Sequence, residues 1–213
     1  MVKTQDFDKN ALEYDTWFER HKIEYAQELK AIKEFLPKEG LGVEIGVGTG
    51  RFSLPLGISL GVEPSRAMRS IAISRGVNVI DGTAESLPIE NGLYDFALLV
   101  TADCFLDVPE LAFREVYRIL KADGFIIVGL IDKNSKLGKK YVENKSKSKF
   151  YKNANFHSVE EIRKYLEKAG FGNFEYVQAI LPGDIEDCLE LEIKQSYGIG
   201  SFVVLRAQKL ADA

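Results

Sequence analysis

Three glycines at alternate positions carry the strongest chemical signal in this chain. In Val43-Glu-Ile-Gly-Val-Gly-Thr-Gly50 an apolar run is left through Gly46, Gly48 and Gly50. Without Cβ atoms such a turn can reverse sharply and bring its backbone against a ligand. The nicotinamide fingerprint G-x-G-x-x-G/A is not met, because its sixth place is Arg51 counted from Gly46 and Ser53 counted from Gly48. What remains is one acid, Glu44, two residues before the first glycine, and a second, Glu63, seventeen residues after it at the end of the next apolar run. A carboxylate there can accept hydrogen bonds from both hydroxyls of a ribose. The pattern implies adenosine and gives no place to a pyrophosphate.

Other chemistry-bearing residues are sparser. Asp103 follows the carboxyl end of a predicted strand, where ligands bind in open α/β sheets, and is the one weak candidate for a catalytic role. Asp95, opening the same strand, reads as a structural turn group. His21 and His157 are the only histidines and no metal-ligand spacing joins them, so no metal is expected and both are expected at the surface. Tyr141-Val-Glu-Asn-Lys145 has the Y-x-x-x-K spacing of the short-chain dehydrogenase pair, yet it sits in a lysine-rich stretch and lacks that family's glycines. It reads as chance.

The elements that must position these residues follow from hydrophobic spacing. From Phe7 to Leu36 apolar residues recur at three- and four-residue steps, an amphipathic helical lead-in that Pro37 and Gly40 end. Short apolar runs at 41–46, 60–62, 77–80, 94–100 and 124–131 read as strands, with helices over 65–75 and 109–120 between them. This alternation predicts a parallel sheet covered by helices on both faces. Ser158 with Glu161 forms a capping box for a further helix that Gly170 closes. Runs at 174–180 and 201–207 supply two last strands joined by a long connection. The expectation is one domain over 1–213, with a mostly parallel, seven-stranded, Rossmann-like sheet and an antiparallel C-terminal strand. It divides into a helical cap at 1–40, a core at 41–131, a lysine-rich loop at 132–157 and a C-terminal helix with its strand pair at 158–213.

Val43 to Gly50, Gly61-Val-Glu-Pro-Ser65, Asp81-Gly-Thr-Ala-Glu-Ser-Leu-Pro88 and Tyr94-Asp-Phe-Ala-Leu-Leu99 resemble, in order and spacing, the successive motifs of class I S-adenosylmethionine-dependent methyltransferases, the "type 11" small-molecule family in particular. The resemblance runs from about Phe7 to Phe171 and implies S-adenosyl-L-methionine as cofactor. It implies that Glu44, Gly46, Gly48 and Gly50 hold the methionine portion and Glu63 the ribose. Pro64, Ser65 and Met68 would surround the adenine, Thr83, Ala84 and Glu85 would meet its edge, and Leu87 would lie against the ring. Thr101 and Ala102, with Asp103, match the place where sulfonium and substrate meet, while Tyr14, Trp17 and Phe18 resemble a helix that covers the cofactor. The stretch from Gly50 to Gly61 departs from the pattern: it is short and contains Pro55, which predicts a stunted first helix.

Composition narrows the partners. Of 213 residues 46% are hydrophobic and 28% charged, and the net charge of −4 provides no cationic field for nucleic acid or membrane. Cys104 and Cys188 are too far apart for a disulfide framework or a CxxC metal site, and with no apolar leader or long apolar run the expected location is cytoplasmic. Charge is segregated nonetheless: eight lysines against Glu143 give +7 between Lys133 and Lys152. Over the sheet's carboxyl edge such a loop is either a solvated surface or a recognition element for an anionic acceptor. The function implied is methyl transfer to a small molecule. Its competitors are a nucleotide-dependent oxidoreductase on a similar sheet and an S-adenosylmethionine-binding protein without catalysis.

Overall fold

The computed structural model describes residues 4–185 and 192–211. Two helices lead in, α1 (Gln5–Arg20) and α2 (Lys22–Lys33), broken at His21, whose φ of −117° and ψ of 49° leave the helical region. Strands and helices then alternate: β1 (Gly42–Ile45), β2 (Leu60–Val62), α3 (Arg66–Ser74), β3 (Asn78–Ile80), β4 (Tyr94–Val100), α4 (Pro109–Ile119) and β5 (Leu120–Ile131). The helix expected after the glycine turn shrinks to one 3₁₀ turn, Leu54–Leu56, with Pro55 inside it. Proline has no N–H to give to a longer helix and clashes with the carbonyl four residues back.

Beyond β5 the structure departs from the sequence reading. The segment expected as a lysine-rich loop folds as α5 (Lys136–Asn144), capped by the Ser135 side chain, followed by a 3₁₀ turn at Lys145–Lys147. Its apolar side carries Leu137 and Tyr141, each packed into a cluster of buried residues. Next come α6 (Val159–Ala169), with the expected Ser158/Glu161 capping box and Gly170 in the left-handed conformation, then β6 (Phe171–Ala179), β7 (Ile193–Gln195) and β8 (Phe202–Lys209). Among the described residues the sheet thus has eight strands where seven were expected, because the short β7 lies inside the supposed long connection. Cys188, in the same connection, lies outside the described residues.

The order across the sheet is β3-β2-β1-β4-β5-β8-β6-β7. From β3 to β5 every pairing is parallel, and β8 and β6 continue antiparallel. Alternate residues of β4 show why the central strands read as unbroken apolar runs. Ala97 and Leu99 pack with Phe113, Val116 and Ile162 of α4 and α6, whereas Phe96, Leu98 and Val100 pack with Phe18 and Ile32 of α1 and α2. A strand covered on both faces needs apolar side chains at every position. No described helix is long and apolar enough to cross a membrane.

Candidate active site

A cavity of about 800 Å³, mouth included, opens over the carboxyl ends of β1, β2 and β4, where ligands of open α/β sheets lie. Its floor is the glycine turn. Gly46 leaves β1 with φ +73°, and a Cβ there would stand 2.8 Å from the Cβ of Ala102. Gly48 has φ +55°, and a Cβ on it would meet only Tyr14, at 4.0 Å, so the backbone itself faces the cavity. Gly50 does different work: it packs on Ala72 and Val77, away from the cavity lining.

Glu63, at the tip of β2, is 8% exposed and lines the cavity. One carboxylate oxygen accepts the Gly48 N–H (2.9 Å) and the other the Ser65 N–H (2.8 Å). Each oxygen keeps a lone pair for a ligand. Burial raises this acid to about 7 against the pull of those two amides. Glu44 is almost wholly buried, accepts a hydrogen bond from Ser53 and does not line the cavity, and burial raises it to about 8. Ser65 is likewise buried beneath the site, capping α3 through Met68 and donating to Asp8 (2.7 Å).

Pro64, Met68, Thr83, Ala84 and Glu85 form one wall, and Thr101 and Ala102, with Tyr14 of α1, form the other. Thr101 is held at φ +48° with its N–H on the Gly129 carbonyl (2.7 Å). Glu85 accepts the N–H of Asp107 (2.8 Å), tying the two walls together. Leu87 belongs to the core under the site, and Trp17 stacks on His21 (4.4 Å between centroids) instead of facing the cavity. Sequence reasoning missed Thr4, Phe7, Gly82 and Phe105, together with Leu106 and the strand ends Ile45, Leu99 and Val100. The strand ends could have been found from the rule that strand carboxyl ends bear ligands. Phe7 and Phe105 carry no such signal.

Asp103 is 3% exposed and turned away from the cavity, with His157, itself 2% exposed, 3.3 Å away. The expectation of surface histidines is therefore corrected: His157 is a buried partner, and His21 is half-buried under Trp17. Burial raises the Asp103 carboxyl while His157 opposes the shift. Among the described residues no cluster of metal-ligating side chains occurs.

Residues 43–128 match the family model described as a methyltransferase domain. An uncharacterized protein of Methanocaldococcus jannaschii is 45% identical over 204 residues, covering 96% of this chain and 98% of its own. A crystal structure from Thermotoga maritima, described as an S-adenosylmethionine-dependent methyltransferase and possible histamine N-methyltransferase, superposes with a TM-score of 0.90 at 50% identity, covering 96% of this chain and 98% of that one. The chain belongs to the S-adenosylmethionine-dependent methyltransferases. More distant structures, such as the Haloferax volcanii methyltransferase bound to the Trm112 activator (TM-score 0.71, 17% identity), share the fold.

S-adenosyl-L-methionine is thus the methyl donor, and the oxidoreductase and non-catalytic readings fall away. The methyltransferase covers its cavity with α1, which contributes Phe7 and Tyr14 to the lining. Asp15 of this helix receives a two-pronged bond from Arg51 (2.8 and 2.6 Å) and a second from Arg75 (3.0 Å). Those guanidiniums hold the Asp15 carboxyl far below the usual range despite its burial. On the other flank Lys149 pairs with Glu13, and Lys152 with Asp6 (2.8 Å). Between them Phe150 stacks on Phe7 (5.7 Å) and meets Tyr14 edge-on (5.6 Å).

Proposed function

We propose that this methyltransferase carries the methyl group of S-adenosyl-L-methionine to a small-molecule acceptor admitted between α1 and the turn from Thr101 to Leu106. Glu63 carries the reading: a buried carboxylate that lines the cavity, fixed by one amide on each oxygen and still able to accept from a vicinal diol. Gly46 and Gly48 would admit the methionine portion. Pro64, Met68, Thr83, Ala84 and Glu85 would enclose the adenine, and Thr101 and Ala102 would flank the sulfonium. The wide separation of Cys104 and Cys188 in the sequence, which suits no disulfide framework, supports a reducing, cytoplasmic setting.

The cofactor supplies a methyl group already activated by a positive sulfur. What the protein must add is alignment, which can remove about 7 to 11 kcal/mol from a barrier. The lining suits that task. Tyr14, whose hydroxyl is raised far above its ordinary value by burial and by the charge of Glu63, stays a donor. Glu85 is engaged by backbone amides. With Tyr14 a donor and Glu85 tied to the Asp107 and Val108 amides, an acceptor would bring its own lone pair.

The test is titration of the purified protein with S-adenosylhomocysteine and with a nicotinamide dinucleotide, followed by labelled donor and a metabolite extract. The first should bind and raise the melting temperature by mass action, and label should move to a small molecule. Equal stabilisation by the dinucleotide, or label incorporated only into macromolecules, would overturn the reading.

A further inference from the structure

Three of the rings that line the cavity touch one another. Phe7 of α1 meets Tyr14 edge-on (5.7 Å between centroids) and also Phe105, in the turn after β4 (5.0 Å). Leu106, 7% exposed, continues the same side. The rings therefore bridge α1 and the turn that carries Thr101 and Ala102, and Ala102 stands directly beside Gly46. With Glu63, Pro64, Met68 and Thr83 to Glu85 given to the cofactor, as proposed, this ring-lined side is what an acceptor would meet.

Nothing positive waits there. Among the described residues no lysine, arginine or histidine lines the cavity, and its two charged side chains are Glu63 and Glu85. Backbone donors of the turn are spent as well: Thr101 gives its N–H to Gly129, Phe105 to Ala102, Leu106 to Asp103, and Asp107 and Val108 theirs to Glu85. Cations near the mouth are engaged elsewhere. Arg69 grips Asp81 and the carbonyls of Glu63 and Pro64, while Lys149 and Lys152 pair with Glu13 and Asp6. A negative group buried on this side would lose its water and find no positive charge in exchange, which is unfavourable. Rings, by contrast, pack well against another ring or an apolar body, and their faces tolerate positive charge.

We infer that Phe7, Tyr14 and Phe105 form the acceptor side of the cavity and select a methyl acceptor with an aromatic or apolar body and no negative charge. This deepens the proposed function and rests on it. It reverses the anionic acceptor that the lysine count suggests.

Binding of S-adenosylhomocysteine to the full chain is measured first, and its failure defeats the cofactor reading on its own. A metabolite extract is then split on an anion exchanger at neutral pH, and each fraction is incubated with the protein and methyl-labelled donor. The split precedes the reaction because methylation of an acid would erase its charge. Label should enter the flow-through, in species that a reversed-phase column retains. With Phe105→Ala, half-maximal labelling should need at least about threefold more of that fraction, as expected for a lost ring contact, while S-adenosylhomocysteine affinity stays within about twofold. The wild-type split needs no variant, so a misfolded one does not blunt the test. Label mainly in the retained fraction, label only in species that the reversed-phase column does not hold, an unmoved half-maximum, or an equal loss of S-adenosylhomocysteine affinity in Phe105→Ala overturns the inference. Label in neither fraction, with S-adenosylhomocysteine bound, overturns the proposed function and the inference with it.

Discussion

Replacing Glu63 by glutamine isolates the most heavily constrained side chain of the site. In the wild type the two carboxylate oxygens satisfy the Gly48 and Ser65 amides at 2.9 and 2.8 Å. Glutamine offers one oxygen and one NH₂, so one backbone donor loses its acceptor and one ribose hydroxyl loses the oxygen it would donate to. A hydrogen bond to a charged group is worth about 1.5 to 3 kcal/mol, which is roughly ten- to a hundredfold in S-adenosylhomocysteine affinity. The sign of the pH effect is fixed as well. Burial raises Glu63 to about 7, whereas a diol donating to both oxygens favours the ionised form. Wild-type affinity should therefore fall as pH drops below about 7, by up to tenfold per unit, and level off above it. Glutamine does not titrate, and the ligand's own ionisation is common to both proteins. Calorimetry at pH 6, 7 and 8 on both proteins reads the difference. Parallel pH profiles, or equal affinities at pH 8, would refute the placement of Glu63 on the ribose.

Four further outcomes are expected. Gly48→Ala should keep the fold at a cost of about 1 kcal/mol for the positive φ and weaken S-adenosylhomocysteine binding measured by calorimetry, since its Cβ enters the cavity; unchanged affinity would remove the turn from the binding floor. Asp15→Asn should accelerate S-adenosylhomocysteine release in stopped flow by loosening Arg51 and Arg75, and an unaltered rate would mean that α1 does not gate the site. For Glu28, burial places the folded value near 8 against 4.5 in a free chain, so the stability it lends is complete below about 4.5 and is lost as pH rises through 8. Glu28→Gln should accordingly gain in melting temperature over the wild type between pH 5 and 9, and parallel curves would contradict the burial. Asp103→Asn should lower the melting temperature through its contact with His157 and leave S-adenosylhomocysteine affinity intact; a lost turnover at undiminished stability would return Asp103 to the chemistry.

The parallel half of the fold was legible because its signals are local. β2 and β4 have the bounds that their apolar runs suggest, and Pro55 announced the missing helix. Antiparallel β7 was not legible: Ile193–Gln195 is as short as β2 but holds a single apolar residue, so it forms no apolar run. In the site, Gly46, Gly48, Glu63, Pro64, Met68, Thr83 to Glu85, Thr101, Ala102 and Tyr14 come together on the cavity. Glu44, Gly50, Ser65, Leu87 and Trp17 sit one layer behind it, because a motif marks a turn without saying which way each side chain points. The burial of Glu28, the Asp103–His157 contact and the run of rings from Phe105 to Phe156 depend on contacts between segments far apart in sequence, and no spacing within one element reports them.

The segregated charge of the sequence acquires a different meaning once its partners are visible. α1 carries Asp6, Asp8, Glu13, Asp15 and Glu19 against Lys9 and Arg20, a net −3, and the lysine-rich segment carries +7. Their contact is direct, Glu13 to Lys149 and Asp6 to Lys152, with Phe150 wedged between Phe7 and Tyr14. The lysines thus complement the cavity's cover. Exposed pairs of this kind contribute about 0 to 1 kcal/mol each and weaken with salt, so they register the cover without locking it. Its firmer hold is the half-buried Asp15 between Arg51 and Arg75, at the glycine-turn end.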